Sequence, residues 1–295
     1  MQLEKIITLA NKKVLLRFLA MERSLRATGC KLPLWVIPYD DDLFELPENA
    51  VWWSMTEISD WLRKEDAHAM CAKYQCLTTA NYQYIDSDAI FLRNPEDALA
   101  KTGGFVTSCG HWSHPDLTVT PQSQAILREK STHWMQRVFN AGQFACDRAL
   151  YTISELKKRC LDSRYANTCL QSKYYDQPGL NLLVNLTGVP IHNLTLPPIG
   201  MESTWAGDYL DEDFRTTWTS LERTPYLIHW AGRNGEVTRP IDRLFLDYLT
   251  ATEQSQLQQE LAVTQRKQAQ DRHSPLELLR RLKRSAESFL AKWNE

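Results

Sequence analysis

Two carboxylates stand two residues apart in the run Tyr84-Ile85-Asp86-Ser87-Asp88-Ala89-Ile90-Phe91. In a regular strand Asp86 and Asp88 would point to one face, and at a strand end they can converge on a single cation. Hard divalent ions such as Mg²⁺ and Mn²⁺ favour such oxygen ligands and keep coordination sites open for phosphates. Late in the chain, Ile228-His229-Trp230-Ala231-Gly232 supplies a histidine at the end of an apolar run, and a neutral imidazole suits Mn²⁺ beside two carboxylates. The plain alternatives are a solvated turn for the aspartates and a packed core histidine for His229.

The elements that must position these groups follow from the apolar pattern. Lys5 to Ala10 reads as a first strand. Val14, Leu15, Phe18, Leu19, Glu22 and Leu25 follow helical spacing, and Gly29 falls where a left-handed C-terminal cap is wanted. Leu34 to Pro38 makes a second strand, ending in Asp40-Asp41-Asp42. A helix over about Asp66 to Thr78 precedes the strand Tyr82 to Ile85, and Asn94-Pro95 stops the segment after the aspartates. Strands alternating with helices mark an α/β domain with crossover connections, whose ligands bind at the carboxyl ends of the strands.

From about Ser108 to Thr132 the pattern is loop-rich, with His111, Trp112, His114, Pro115 and Pro121, and reads as a substrate loop or an irregular connection. A helix spans Thr152 to Cys160, and another opens at Asp176-Gln177-Pro178, where Asp can cap and Pro tolerates the first turn. Tyr226 to His229 is the last core strand. Beyond Leu257 the composition turns to Gln, Lys and Arg. Gln265 to Ser274 reads as a polar linker before a final helix, with Leu276, Leu279, Leu282, Ala286, Phe289, Leu290 and Trp293 on one side, flanked by Arg280, Arg281, Lys283 and Arg284. That basic, Trp-bearing face suits an anionic membrane surface or packing on the catalytic domain.

Composition narrows the classes. The 295 residues are 43% hydrophobic and 10% aromatic, enough for a large core and incompatible with disorder as the main state. With 34 Lys plus Arg against 36 Asp plus Glu, the net charge of −2 argues against nucleic acid as a partner. No run approaches the roughly 20 apolar residues of a membrane span, and Met1-Gln2-Leu3-Glu4-Lys5 does not begin an export signal. Seven cysteines with no C-x-x-C pair argue for reduced thiols in the cytoplasm and against a disulfide framework or a structural zinc site.

Five short segments, in order, carry a family likeness: Thr8-Leu9-Ala10-Asn11, Tyr84-Ile85-Asp86-Ser87-Asp88, Phe139-Asn140-Ala141-Gly142-Gln143-Phe144, Tyr175-Asp176-Gln177-Pro178-Gly179-Leu180-Asn181 and Ile228-His229-Trp230-Ala231-Gly232. Over about residues 5 to 240 the chain resembles the retaining glycosyltransferases of the GT-A fold, the group around glycogenin and the bacterial lipopolysaccharide galactosyltransferases. The resemblance implies a Rossmann-like mixed sheet flanked by helices over residues 1–250, with a C-terminal helical extension over 251–295. It also implies transfer of a hexose from a nucleotide-diphosphate sugar, most naturally a UDP-sugar, to a carbohydrate or lipid-linked acceptor with retention of configuration.

By the same resemblance Asp86, Asp88 and His229 hold Mn²⁺ or Mg²⁺, with Asp86 and Ser87 also near the donor. Thr8, Ala10 and Asn11 hold the nucleobase and ribose; for Asn11 a helix cap is the plain alternative. Lys73 meets the donor phosphate or sugar, and Asn140, Ala141 and Gly142 face the donor sugar. Asp176 accepts hydrogen bonds from sugar hydroxyls while Gln177 presents its carbonyl to the anomeric carbon; a helix N-cap would by itself explain Asp176. The family's late Gly is followed by a Lys-Pro pair, whereas here Gly232 is followed by Arg233 and later by Arg239-Pro240, so either arginine is the expected grip on the diphosphate. A nucleotidyltransferase also places Asp pairs at strand ends, but the chain has neither G-x-x-x-x-G-K nor a Gly-rich loop after the first strand. A non-catalytic nucleotide-sugar-binding protein of the same fold would typically have lost one Asp of the pair.

Overall fold

A computed structural model describes residues 1–171, 175–232 and 238–272. Its nine strands are β1 (Lys5–Ala10), β2 (Leu34–Pro38), β3 (Ala50–Trp52), β4 (Tyr82–Ile85), β5 (Ala89–Phe91), β6 (Phe105–Thr107), β7 (Gln143–Cys146), β8 (Ile191–Asn193) and β9 (Leu227–His229). The α-helices are α1 (Leu15–Ala27), α2 (Thr56–Lys64), α3 (Pro95–Leu99), α4 (Pro121–Lys130), α5 (Ile153–Leu161), α6 (Ala166–Leu170), α7 (Gln177–Leu186), α8 (Asp242–Leu246) and α9 (Ala251–Arg272).

Seven strands form one mixed sheet in the order β3-β2-β1-β4-β7-β6-β8, and β5 and β9 form a separate antiparallel pair. The first four strands of that order run parallel, so Asn11, Asp40 and Asp86, each just past a strand end, collect at one edge. β7 runs antiparallel to β4 with Ile85 opposite Gln143. One step further in that register Gly142 faces Asp86, and the Asp86 N–H donates to the Gly142 carbonyl at 2.7 Å. In the small sheet Ala89 pairs with His229 and Ile90 with Ile228. The Trp230 N–H extends this ladder to the Asp88 carbonyl at 2.9 Å. Strand pairing alone thus delivers the Asp pair, the Asn140–Gly142 loop and His229 to one place.

Alternation along β1 divides the core. Ile7 and Leu9 face a layer containing the 3₁₀ helix Ala69–Thr78, α2, α5, α6 and α7, while Ile6 and Ala10 face the layer of α1. α1 is buried on several sides, with Phe18 and Met21 toward the sheet and Leu16 and Ala20 toward β5, β9 and α8. Gly29 ends the helix region at φ +86°, as the cap position requires.

The helix expected around Asp66 to Thr78 is present as a ten-residue 3₁₀ helix over Ala69–Thr78. Two sequence expectations are corrected. The loop-rich stretch contains α4, opened by a reciprocal Thr120–Ser123 capping box with Pro121 in the first turn. The expected linker at Gln265 is instead part of α9, which runs unbroken to Arg272. α9 packs through buried Leu257 and Leu261, and Glu253 pairs with both terminal nitrogens of Arg23 at 2.6 and 2.8 Å. The amphipathic segment from Leu276 onward lies outside the described residues. Among the described residues no disulfide forms, and all seven cysteines are buried. No helix there is long and apolar enough to cross a membrane.

Candidate metal centre and donor site

Asp86 leaves the end of β4, Ser87 and Asp88 turn into β5, and His229 closes β9. Among the described residues these three form a cluster in which one ligand atom of each lies within 4.8 Å of the others. His229 Nε2 is 3.1 Å from Asp88 Oδ1 and 3.8 Å from Asp86 Oδ2. Cis ligands of an octahedral ion bound at 2.0–2.1 Å stand about 3 Å apart, so the spacing suits one small divalent ion. Burial lowers the imidazole's proton affinity, but Asp88 and Asp86 outweigh it, and His229 titrates above its ordinary 6.5. Burial likewise pushes the Asp88 carboxyl up, yet the facing His229, helped by Arg17, brings it down to about 2.

Behind the cluster lies a buried lysine. Lys73, 1% exposed on the 3₁₀ helix, places Nζ 3.0 Å from Asp86 Oδ1 and 3.1 Å from Asp176 Oδ2. Burial opposes its charge, but Asp176 and Asp86 prevail and hold it above the ordinary lysine value. Asp176 is itself buried. Desolvation raises its carboxyl, Lys73 opposes that, Asp86 adds to it, and the net is a rise to about 6. Its Oδ2 is the oxygen that faces the Lys73 ammonium. Two carboxylates and an imidazole converging on one point, with a third carboxylate beyond Lys73, make a donor set that suits a divalent ion.

Local geometry orients each member. The Tyr84 hydroxyl donates to Asp86 Oδ1 at 2.5 Å, and the Tyr84 ring stacks on Phe144 with centroids 5.0 Å apart. Asn140 Oδ1 accepts the Gly142 N–H at 2.7 Å, closing the turn before β7. Gln177 Oε1 accepts the Ala141 N–H at 3.2 Å. Asn181, one turn further along α7, clamps Phe139 by accepting its N–H at 2.9 Å and donating to its carbonyl at 2.8 Å. The N-terminus of α7 and the Asn140–Gly142 turn are thereby fixed to each other.

The expected site residues divide as follows. Lys73, Asp86, Asp88, Asn140, Ala141, Gly142, Asp176, Gln177 and His229 come together, with Ser87 buried between the aspartates. Asp176 occupies the position before α7, but its side chain makes no cap hydrogen bond and goes to Lys73, so the cap does not account for it. Asn11 both caps and reaches out: its Oδ1 accepts from Lys13 N–H at 3.1 Å and its Nδ2 donates to Asp40 Oδ2 at 2.8 Å. Thr8 and Ala10 lie on the interior strand β1, toward its carboxyl end, and are fully buried, and the Ala10 carbonyl accepts from Tyr39 N–H. Gly232 follows the cluster at φ +70°. Arg233 lies outside the described residues.

Arg239 departs from expectation. Its Nη2 and Nε donate to the two oxygens of buried Asp242 at 2.7 and 3.2 Å, and its Nη1 donates to the Ala206 carbonyl at 2.9 Å. The fork that was to grip a diphosphate is committed to holding the start of α8. Tyr84, which contacts Asp86, and Asn181, which clamps Phe139, were not singled out from sequence; Tyr84 sits two before Asp86, on the same strand face, which is the one signal available for it.

Among the described residues one cavity borders the cluster and another opens past the end of β2. One of about 200 Å³ is bounded by His229, Asn140, Gln143, Thr204, Trp205 and Asp208. The other, about 260 Å³, lies past the end of β2 between Tyr39, Asp40, Arg63 and His68.

No protein-family model matches the chain, and no curated protein is similar to it in sequence. The likeness to solved structures is one of fold. The bifunctional glycosyltransferase WbbM superposes with a TM-score of 0.54 at 12% identity, covering 86% of this chain and 51% of that one. The chain therefore spans about half the length of WbbM. The galactosyltransferase LgtC, solved with donor and acceptor sugar analogues, covers 83% of this chain and 94% of its own at 13% identity and a TM-score of 0.45. GlyE of Streptococcus pneumoniae TIGR4 covers 90% and 64% at 11% identity and a TM-score of 0.48. With its mixed seven-stranded sheet flanked by helices, the chain has the GT-A-type fold of glycosyltransferases.

Proposed function

We propose that the protein is a metal-dependent glycosyltransferase that moves a hexose from a nucleotide-diphosphate sugar to a carbohydrate or lipid-linked acceptor, with retention of configuration. The observation that carries this reading is the Asp86–Asp88–His229 cluster at the carboxyl edge of a glycosyltransferase fold, backed by the Lys73–Asp176 ion pair. A uridine diphosphate carrier, and action inside the cell, follow from the sequence reading. Residues 1–250 are the catalytic unit in this account.

Departure of a nucleoside diphosphate builds negative charge on the β-phosphate and positive charge on the anomeric carbon. Asp86, Asp88 and His229 would hold Mn²⁺ or Mg²⁺, which would supply charge stabilisation for the diphosphate. Asp176, anchored by Lys73, accepts hydrogen bonds from the sugar hydroxyls and fixes the ring. The Gln177 side chain places carbonyl density beside the anomeric carbon, steadied by the Ala141 N–H. An amide is a poor nucleophile, so attack on the face of departure, with the leaving phosphate oxygen taking the acceptor proton, needs no covalent intermediate on Gln177. The cavity lined by Trp205, Asp208 and His229 borders the proposed metal ligands and is assigned to the acceptor in this reading.

The test is hydrolysis and transfer from UDP-hexoses in Mn²⁺, with the anomeric configuration of the first-formed product read by proton NMR. Release of the donor's own anomer supports the reading. Inverted product would overturn retention, and turnover unaffected by EDTA would overturn metal dependence.

A further inference from the structure

Gly142 immediately precedes β7, and the space its missing side chain leaves is already occupied. A Cβ placed there would lie 2.1 Å from His229 Cε1, 2.8 Å from His229 Nε2 and 2.6 Å from Asp86 Oδ2. The backbone has no freedom to yield on either side. Gly142 is tied by its carbonyl to the Asp86 N–H at 2.7 Å and by its N–H to Asn140 Oδ1 at 2.7 Å. His229 is held by the β5–β9 ladder and by its own N–H to the Thr204 carbonyl at 2.7 Å. Any added methyl must therefore be accommodated by turning the imidazole and the Asp86 carboxylate, the two side chains that face Asp88.

We propose that Gly142 is a positioning residue for the metal centre, the bare floor against which the His229 ring and the Asp86 carboxylate lie so that both aim at one ion. This rests on the metal-dependent reading above. Ordinary contact begins at 3.4 Å, so the ring atom at 2.1 Å must move by more than an ångström. A shift of that size takes Nε2 out of the position it holds 3.1 Å from Asp88 Oδ1. The residue touches no reacting atom in this role; it acts through the two ligands.

The test is Mn²⁺ affinity of the full chain without donor, read from the six-line EPR signal of free Mn²⁺, in wild type, Gly142→Ala, His229→Ala and the double variant, each checked by circular dichroism. Gly142→Ala should weaken binding by about tenfold or more, the scale for disturbing groups that orient metal ligands. In the His229→Ala background, where only the Asp86 contact is left, the same change should cost clearly less than it does in wild type, as coupling through the ring requires. If Gly142→Ala alone fails to fold while the double variant folds, the clash is with the ring and the proposal stands. Wild-type affinity in Gly142→Ala overturns it while leaving the metal reading intact. An equal loss with and without His229, or failure of both variants to fold, also overturns it. Absence of Mn²⁺ binding by wild type would remove the metal reading itself, and the proposal with it.

Discussion

The substitution Lys73→Met removes a buried cation while keeping its length. Lys73 is 1% exposed and faces Asp176, 2% exposed, at 3.1 Å. Breaking a buried pair by deleting one partner costs about 3–5 kcal/mol, because the remaining charge is left in a poorly solvating interior. At about 2 °C per kcal/mol for a chain of this size, melting should fall by roughly 6–10 °C near neutral pH. The pH dependence carries a sign of its own. In wild type, burial raises the Asp176 carboxyl to about 6 from an ordinary 3.8, so the folded chain binds this proton more tightly than the unfolded one. Its contribution to stability declines as pH rises from 3.8 through about 6 and then levels off. Without Lys73 the carboxyl rises further, so the decline must be deeper and extend to higher pH. Melting curves by circular dichroism from about pH 5 to pH 8 measure both effects, and Asp176→Asn in the Lys73→Met background should restore most of the loss. A drop under about 2 °C, or a difference from wild type that does not grow with pH, would refute the claim that Lys73 and Asp176 form a buried pair.

Other expectations follow from the same geometry. His229 must be neutral to bind a metal and titrates above 6.5, so Mn²⁺ affinity should fall by about tenfold per pH unit below its folded value; affinity unchanged between about pH 5.5 and pH 8 would contradict this. In the metal-free chain the raised His229 value adds stability that is complete below 6.5 and lost as pH rises through the folded value. The lowered Asp88 value adds stability that is present above 3.8 and lost as pH falls through about 2. Arg239→Ala strands the buried Asp242 carboxylate and should cost about 3 kcal/mol in urea denaturation while leaving nucleotide affinity within about twofold; a large affinity loss in a fully stable variant would return Arg239 to the diphosphate. Asp88→Asn should lower turnover about 10²-fold or more in a steady-state transfer assay, and turnover like wild type would exclude Asp88 as a ligand.

What could be read from sequence divides by the range of the forces involved. β1 and β2 were legible because each is an apolar run ended by polar turn residues, and Asp86 and Asp88 because a charge pair breaks such a run. His229 needed the family likeness, since its approach to Asp88 depends on the pairing of β5 with β9 across the chain. β3, β6 and β8 are three residues each and owe their existence to the strands beside them. α4 had a local signal in Thr120-Pro121 that its irregular surroundings obscured. α9 is polar on most sides; two leucines and the Arg23–Glu253 pair dock its first half, and the helix continues into the segment where composition suggests a linker. Asp176 before Gln177-Pro178 has the form of a helix cap, and nothing nearby announces that its carboxylate goes to Lys73, far back in the chain. Arg239 is the converse case, with Asp242 three residues on as a visible local partner.

The central claim is that Asp86, Asp88 and His229 join a divalent ion to the diphosphate of a sugar nucleotide. Thermal shift with UDP, GDP, ADP, CDP and their sugar conjugates, each in Mn²⁺ or EDTA, tests it on wild type and Asp88→Asn. A ligand at about 100 times its dissociation constant adds roughly 2.7 kcal/mol of stability, well within detection. The account predicts that one nucleotide raises the melting temperature of wild type in Mn²⁺ and not in EDTA, and that Asp88→Asn shows no such rise. Stabilisation that is equal in EDTA, or undiminished in Asp88→Asn, would contradict it.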